Sequence, residues 1–459
     1  MRLHFRGTTA FLLFVVCALL GLATPGYSSP SSLYLTSEAS DGTNAHATVN
    51  PLVESFTELK LKQNLYTGTK GTPLSFGSGV SFLTNSQGKS VFVGLTDRGP
   101  NILAPDDLGR PTTYLLLEEV FAPALVPFLL EGDEITPITW NRFLEIIREE
   151  KALYPVGGRI KGTTSYAAPL LNSSGEQFDG IPLADSGQVS VTPKLIGITP
   201  TGRGIDPEGI TILPNLDQIW ISEEYGPSIL VFDLTTRKLL KRFDPGHGLP
   251  NIFSKRKMNR GFEGIAALKD GSVVTALQSP LSIDGSEEDC LRLIVISPEG
   301  NTNTIGMSMD ELRAFSDYKL GELTFAEGET LIAVESYENS ENRKIRNIIS
   351  IDLSTTKIGS SPVCTSDPSL PSVKRKKILD MSIFGRKFGK IEGLSLLPDK
   401  RTLIVTEDTD FGVELLKKGR KGADISIPGS VQSLSIKDSQ TKIYRIVFRE
   451  EFSKLTHGF

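Results

Sequence analysis

The sequence predicts an all-β fold, a β-propeller, and three observations predict it. A hairpin unit recurs with one shape: acid-Gly, apolar strand, turn, apolar strand, second polar residue. Three copies keep a 15-residue spacing, Glu208-Gly209 to Glu223, Glu263-Gly264 to Gln278 and Glu392-Gly393 to Glu407. A looser copy runs from Glu322 to Glu335, and Ser78-Gly79 opens another that ends at Asp97-Arg98-Gly99-Pro100-Asn101. Short strands of Val, Ile, Leu and Thr, bounded by Gly, Pro, Asn and Asp, fill nearly all the remaining chain. Each hairpin is followed by a further strand, as in Ser228 to Leu234, Leu291 to Ser297 and Asn347 to Leu353, and such units suit a propeller blade. An antiparallel hairpin returns to the end where it began, so the acids of each copy gather at one edge. Arranged around an axis, they make a polar mouth.

The first 29 residues stand outside this pattern. Arg2 and Arg6, an apolar run from Thr8 to Ala23, then Pro25, Gly26, Ser28 and Ser29 describe a secretory signal peptide. Cys17 follows Val16 rather than the small residue of a lipoprotein site; an uncleaved anchor is the alternative. No later stretch is apolar enough for a membrane span, so a secreted or periplasmic protein is expected. Residues 30–69 are expected as a lead-in, 70–450 as the propeller and 451–459 as a tail.

Openings at 208, 263, 322 and 392 lie 55, 59 and 70 residues apart, longer than a compact blade of about 40 to 50. The 130 residues between 78 and 208 leave room for two blades, which gives roughly six or seven in all. A helix is expected over 140–151, where Trp140, Phe143, Leu144 and Ile147 share one face, with a weaker candidate over 308–313. The strand from Lys442 to Phe448 is expected to complete a blade begun elsewhere and close the ring.

Charge and cysteine usage narrow the function. With 49 basic against 54 acidic residues, net charge −5 and both signs mixed, no nucleic-acid partner is indicated. The runs Lys374-Arg375-Lys376-Lys377 and Lys417-Lys418-Gly419-Arg420-Lys421 are expected to be solvated loops. Beyond the leader only Cys290 and Cys364 remain, enough for one disulfide and not for a zinc site. Gly-x-Ser-x-Gly, His-Glu-x-x-His and Walker A motifs are absent, and His46, His247 and His457 lie outside the repeat. Asn172-Ser173-Ser174 is a glycosylation sequon if the source is eukaryotic.

The repeat nominates the chemistry. Glu208, Glu263, Glu322 and Glu392 open hairpins; Asp97, Glu223 with Glu224, Glu335, and Glu407 with Asp408 and Asp410 close them. Clustered carboxylates repel unless a cation sits among them, and oxygen-only ligation suits Ca2+ or Mg2+. The competing account is that each acid satisfies backbone amides at a strand end. Arg98, Arg203, Arg260, Lys319 and Lys390 accompany the acids, and a metal with guanidinium and ammonium groups suits phosphate. Against that, each cation could simply pair with its neighbouring acid.

Asp97-Arg98-Gly99-Pro100-Asn101, Asp206-Pro207-Glu208-Gly209, Ser222-Glu223-Glu224-Tyr225-Gly226-Pro227, Asn259-Arg260-Gly261-Phe262-Glu263-Gly264 and Lys390-Ile391-Glu392-Gly393-Leu394 together resemble the family called esterase-like activity of phytase. The resemblance spans about residues 70 to 450. It implies an exported β-propeller with phosphoric-ester hydrolase activity on substrates such as phytate. The family's closing Ser-Asp-Asn-Asp-Phe-Gly is changed here at Glu407 and Thr409, while Asp408, Asp410, Phe411 and Gly412 match.

The expected site follows. Glu208, Glu263 and Glu392 are catalytic; Arg98, Arg260, Lys390, Asn101 and Tyr225 bind substrate; Asp97, Glu208, Glu223, Glu263, Glu392, Asp408 and Asp410 hold a divalent cation, Ca2+ before Mg2+. The expected partner is a small phosphorylated substrate, attacked by water. Two alternatives stay open: a non-catalytic binding propeller with structural calcium, and a lactonase-like propeller enzyme.

Overall fold

The computed structural model describes residues 51–67, 72–105, 111–116, 121–150, 165–181, 204–312, 314–355, 364–416, 425–426, 433–437 and 439–456. The expected signal peptide, Arg203, His46, His457 and the basic run 417–421 lie outside the described residues.

Five four-stranded antiparallel sheets make the fold. Blade one runs outward through Gly79–Ser86, Lys89–Leu95, Ala124–Glu131 and Glu134–Pro137. Blade two is Pro207–Leu213, Gln218–Glu223, Ser228–Asp233 and Leu239–Pro245. Blade three is Phe262–Ala267, Val273–Leu277, Cys290–Ile296 and Thr302–Ser308. Blade four is Ser316–Glu327, Thr330–Glu338, Lys344–Asp352 and Ser372–Asp380. Blade five takes Lys390–Leu396, Thr402–Asp408 and Lys442–Phe448 from late in the chain and its outer strand, Val53–Glu58, from the start. Pairing early chain with late chain closes the ring without an exposed inner edge.

The inner strands touch in the cyclic order one, two, three, four, five and back to one. The propeller is therefore five-bladed, not six or seven. The long interval before Glu208 holds a side hairpin, Asn101–Pro105 with Pro111–Leu116, and a helix, Trp140–Glu150, rather than a second blade. Two further expectations shift. Part of the supposed lead-in, Val53–Glu58, is blade-five strand, and the supposed tail contains a short helix, Phe452–Thr456, whose Phe452 is fully buried. The weak helix candidate at 308–313 reduces to a 3-10 turn, Asp310–Leu312.

Packing lies between blades. The helix puts Trp140, Phe143, Leu144 and Ile147 into one buried cluster with Val91 and Val93 of blade one and Ile212 and Ile219 of blade two. That one-sided face is why the segment is helical within a β fold, and losing Trp140 to Ala would cost about 3–5 kcal/mol. At the axis the contacts are backbone on backbone. A Cβ on Gly209 would lie 2.5 Å from the Glu263 carbonyl oxygen, and one on Gly264 2.2 Å from the Leu323 nitrogen. The Glu-Gly repeat thus needs glycine for the approach of neighbouring blades.

Cys290 and Cys364 form a disulfide. Lys374–Lys377 lie on the outer strand of blade four rather than in a loop, and Arg375 is drawn inward to the buried carboxylate of Glu335. Among the described residues no helix is long and apolar enough to cross a membrane.

Candidate active site

Strand register decides which side chains share the mouth. The inner hairpins of blades two, three and five are bulged where the Glu-Gly pair sits, and that of blade four at Gly321-Glu322. Aligned on the pairs Val80–Gly94, Ile210–Ile221, Ile265–Thr275, Leu323–Ala333 and Leu394–Val405, the first level is Ser78, Glu208, Glu263, Gly321 and Glu392. The next, on the adjacent strands, is Asp97, Glu224, Gln278, Ser336 and Asp408. Blades one, two, three and five each bring at least one carboxylate; blade four brings none.

The acid half centres on blade two. Carboxylate oxygens of Asp206, Glu208 and Glu224 lie within 4.8 Å of one another, and all three residues are buried. Burial pushes Glu208 well above the usual carboxylate range, and Glu263, Asp206, Glu224 and Glu392 push it further. Among the described residues no hydrogen bond or ion pair reaches the Glu208 carboxylate. Asp206 and Glu224 share the Arg98 guanidinium, at 2.8 and 3.3 Å. Burial also raises Asp206, with Arg98 opposing. Three hard oxygen donors, one with no partner among the described residues, fit a divalent cation such as Ca2+ or Mg2+.

Around this cluster, burial and Asp408 raise Asp97 to about 7. Burial lifts Glu392 to about 8 against the pull of Lys390. Glu263 is raised by burial and by Glu224 and Glu392, and one of its oxygens accepts the Gln278 amide. Asp408 is held below its ordinary value: burial opposes, but Lys390, the Ser75 hydroxyl at 2.7 Å and the Asp410 amide outweigh it.

The basic half belongs to blade four. A pit of about 50 Å³ is lined by Glu263, Gln278, Lys319, Gly321, Arg346 and Glu392, among others. Lys319 and Arg346 are partly buried, and neither makes a hydrogen bond or ion pair among the described residues. Burial lowers both below their ordinary values; Arg260 lowers Lys319 further, while Glu392 pulls each back up. With Gly321 and Ser336 in place of acids, blade four leaves space that these cations occupy. A wider groove of about 870 Å³ adjoins the rim past Asn259 and Arg260, with Met258, Met309, Phe315 and Tyr318 in its walls.

Several expected residues have other duties. The Glu223 carboxylate accepts the amides of Asp206, Tyr225 and Gly226 at 3.2, 2.8 and 2.9 Å, so it caps a turn and its neighbour Glu224 faces the cluster. Hairpin length explains the difference: Ile210 and Ile221 lie eleven residues apart, as do Leu394 and Val405, but Ile265 and Thr275 lie ten apart, so the 15-residue spacing selects Glu223 while register makes Glu224 the equivalent of Gln278 and Asp408. Arg98 is not an open phosphate ligand; it binds Asp206, Glu224 and Asn259. Tyr225 is buried and donates its hydroxyl to the Gly180 carbonyl at 2.7 Å, and Asn101 donates to Gly99. Arg260 pairs with Asp317 at 3.0 Å, and Lys390 spans Asp408 and Asp410. Glu335 lies away from the mouth, held by Arg375, Asn347 and Tyr318, and Glu407 accepts the Gly389 amide. His247 sits in a turn at the outer end of blade two. Asp206 and Arg346 were not among the expected ligands. Asp206 stood inside a motif, while Arg346 comes from a third strand that no repeat marks.

No curated protein matches the chain in sequence. Among solved structures, a Myceliophthora thermophila Cps50 (Swd1) β-propeller domain matches at 10% identity and TM-score 0.30, over 80% of this chain and 82% of that one. The Pseudomonas aeruginosa periplasmic gluconolactonase matches at 9% and 0.36, over 83% and 93%. Kuenenia stuttgartiensis hydrazine synthase matches at 12% and 0.25, over 45% of this chain and 66% of its own. These are likenesses of shape at low similarity and carry nothing about chemistry. A family model is different in kind: the phytase-like model, described as esterase-like activity of phytase, matches residues 77–411 and so takes in the inner strands of all five blades. The chain belongs to that phytase-like family.

Proposed function

We propose that the chain is an exported phosphoric-ester hydrolase that uses a divalent cation, Ca2+ first, and water at the mouth of its propeller. One observation carries this reading: a buried carboxylate cluster shares the mouth with two cations, Lys319 and Arg346, and among the described residues neither these side chains nor the Glu208 carboxylate has a hydrogen-bond or ion-pair partner. Asp206, Glu208 and Glu224 would hold the ion. When bound, the ion would polarise a phosphoryl oxygen and acidify water. Lys319 and Arg346 would clamp the remaining phosphoryl oxygens by charge-assisted hydrogen bonds. Glu263, raised by burial and close enough to Lys319 to feel its charge, would take the proton of the attacking water. The new P–O bond forms as the ester P–O bond breaks, and the alcohol leaves with a solvent proton. The Cys290–Cys364 disulfide supports an oxidising compartment.

A second reading, a binding propeller with a structural cation, draws on the pairing of Arg98, Arg260 and Lys390 with acids. Phosphate release from phytate and p-nitrophenyl phosphate, measured after EDTA treatment and with Ca2+, Mg2+ or Mn2+ restored, separates the two. Release that disappears with EDTA and returns with one metal supports the hydrolase. A folded protein that binds Ca2+ yet releases no phosphate with any metal leaves the binding module.

A further inference from the structure

At the level just beneath the mouth acids, four blades carry glycine: Gly79, Gly209, Gly264 and Gly393. Blade four inverts the order, with Gly321 at the mouth level and Glu322 at the glycine level. The inversion has a steric counterpart. A Cβ on Gly79 would stand 3.0 Å from the Glu208 carbonyl oxygen and 3.2 Å from the Gly209 Cα, whereas one on Gly321 would meet nothing nearer than 3.5 Å. Gly321 is not forced by close approach. The four glycines clear the axis, and one side chain fills it.

That side chain is a carboxylate. Glu322 is 1% exposed, and its Oε1 accepts the amide of Ile265 in blade three at 2.8 Å and that of Leu323 in blade four at 3.1 Å. Burial raises Glu322 well above the usual carboxylate range, and the amides of Ile265 and Leu323, then of Ile210 in blade two and Val80 in blade one, oppose it by favouring the charged form. Val80, Ile210, Ile265 and Leu323 are equivalent positions, each following the glycine level. Oε2 is buried beside Gly79 and has no hydrogen-bond partner of its own. Backbone N–H groups from four blades therefore face one carboxylate, those of Ile265 and Leu323 in hydrogen bonds to Oε1, and among the described residues no side-chain cation pairs with it. Converging amides bind anions by their partial positive charge.

We propose that the propeller axis is an anion hole for a small carboxylate, filled in the native chain by Glu322, which ties four blades together beneath the mouth. The ligand class follows from the geometry: a planar monoanion with two oxygens and a very small body, such as formate. The proposal is independent of any reaction at the mouth.

Glu322→Gly gives blade four the glycine of the other blades and empties the hole. Its thermal unfolding is to be followed while sodium formate replaces sodium gluconate, too bulky to enter, at constant ionic strength. The variant is expected to lose about 5 °C or more in Tm and to regain most of it with formate, while the wild type shows no such formate response. A variant as stable as wild type, or one whose Tm ignores formate, overturns the proposal. Should Glu322→Gly not fold even when refolded in formate, Glu322→Gln decides. It keeps an oxygen for the Ile265 and Leu323 amides and removes the charge they hold, so a lower Tm without formate rescue is expected. A Gln variant with wild-type Tm overturns the proposal.

Discussion

Blades two and four share one hairpin plan and bring opposite charge to the same mouth. Blade two offers Asp206, Glu208 and Glu224, all buried, with Arg98 inserted between two of them. Blade four offers glycine and serine at the matching levels and lets Lys319 and Arg346 line a pit. The contrast teaches that a near-symmetric scaffold gains a direction by changing two residues in one repeat. Acids on all five blades would make a ring of mutual repulsion; with one blade open, an anion has somewhere to enter beside the acids.

The largest effect is expected from breaking the acid half. Glu208→Gln removes the cluster carboxylate that has no partner among the described residues, and kcat/KM for phosphate-ester hydrolysis should fall on the order of 10²–10³-fold. Calcium binding, followed by calorimetry on the EDTA-treated protein, should weaken with it. Folding should be spared, because burial and neighbouring carboxylates already disfavour the charged form. Unchanged turnover would move the ion away from blade two.

Breaking the basic half should cost less and act on a different constant. Lys319→Met keeps the length of the side chain and removes its charge. Loss of one charge-assisted hydrogen bond, about 1.5–3 kcal/mol, corresponds to roughly 10- to 100-fold in KM and in inhibition by inorganic phosphate. If kcat falls and KM does not, Lys319 acts in the transition state rather than in holding the substrate.

The two halves also set a pH dependence. Asp97 and Glu392 are raised to about 7 and about 8 in the fold, above their ordinary values near 4. Between those limits the native state holds more protons than the unfolded chain. Metal-free stability should therefore fall as pH rises from about 4 to about 8. A cation among the carboxylates reverses the penalty of ionisation, so saturating Ca2+ should flatten the decline and bind more tightly as pH rises through the same window. Thermal unfolding across pH, with EDTA or with Ca2+, reads both trends; a metal-free Tm that climbs from pH 5 to 8 would contradict the raised carboxylates.

Much of this architecture was legible in the chain. Short runs of Val, Ile, Leu and Thr between turn residues announced the hairpins, and the Glu-Gly pairs announced both the axis and the mouth. What was hidden lay in register and long-range pairing. The hairpin of blade three is one residue shorter than that of blade two, so equal spacing picks Gln278 in one and Glu223, not its equivalent Glu224, in the other. The pair at 321–322 reads as one more acid of the ring, yet the inverted order carries Glu322 below the mouth and opens blade four. Blade number cannot be counted from intervals when one loop holds a helix and a side hairpin. Arg346 reaches the pit from mid-strand, opposite Ser336, with no local motif to mark it.

The smallest effect separates the cation the repeat nominates from the one the geometry nominates. Lys390 precedes Glu392 in the motif and is the natural choice from sequence, yet half of its side chain is exposed and it spans Asp408 and Asp410. The Asp410 pair is half exposed on both sides, and exposed pairs of this kind contribute about 0–1 kcal/mol. Lys390→Met should therefore shift KM by about fivefold or less, well short of Lys319→Met. Its loss also removes the attraction that holds Asp408 down, so the pH profile should shift more than the rate does. If Lys390→Met were instead the more damaging variant, substrate would sit over blade five, and the asymmetry between blades two and four would concern stability rather than binding.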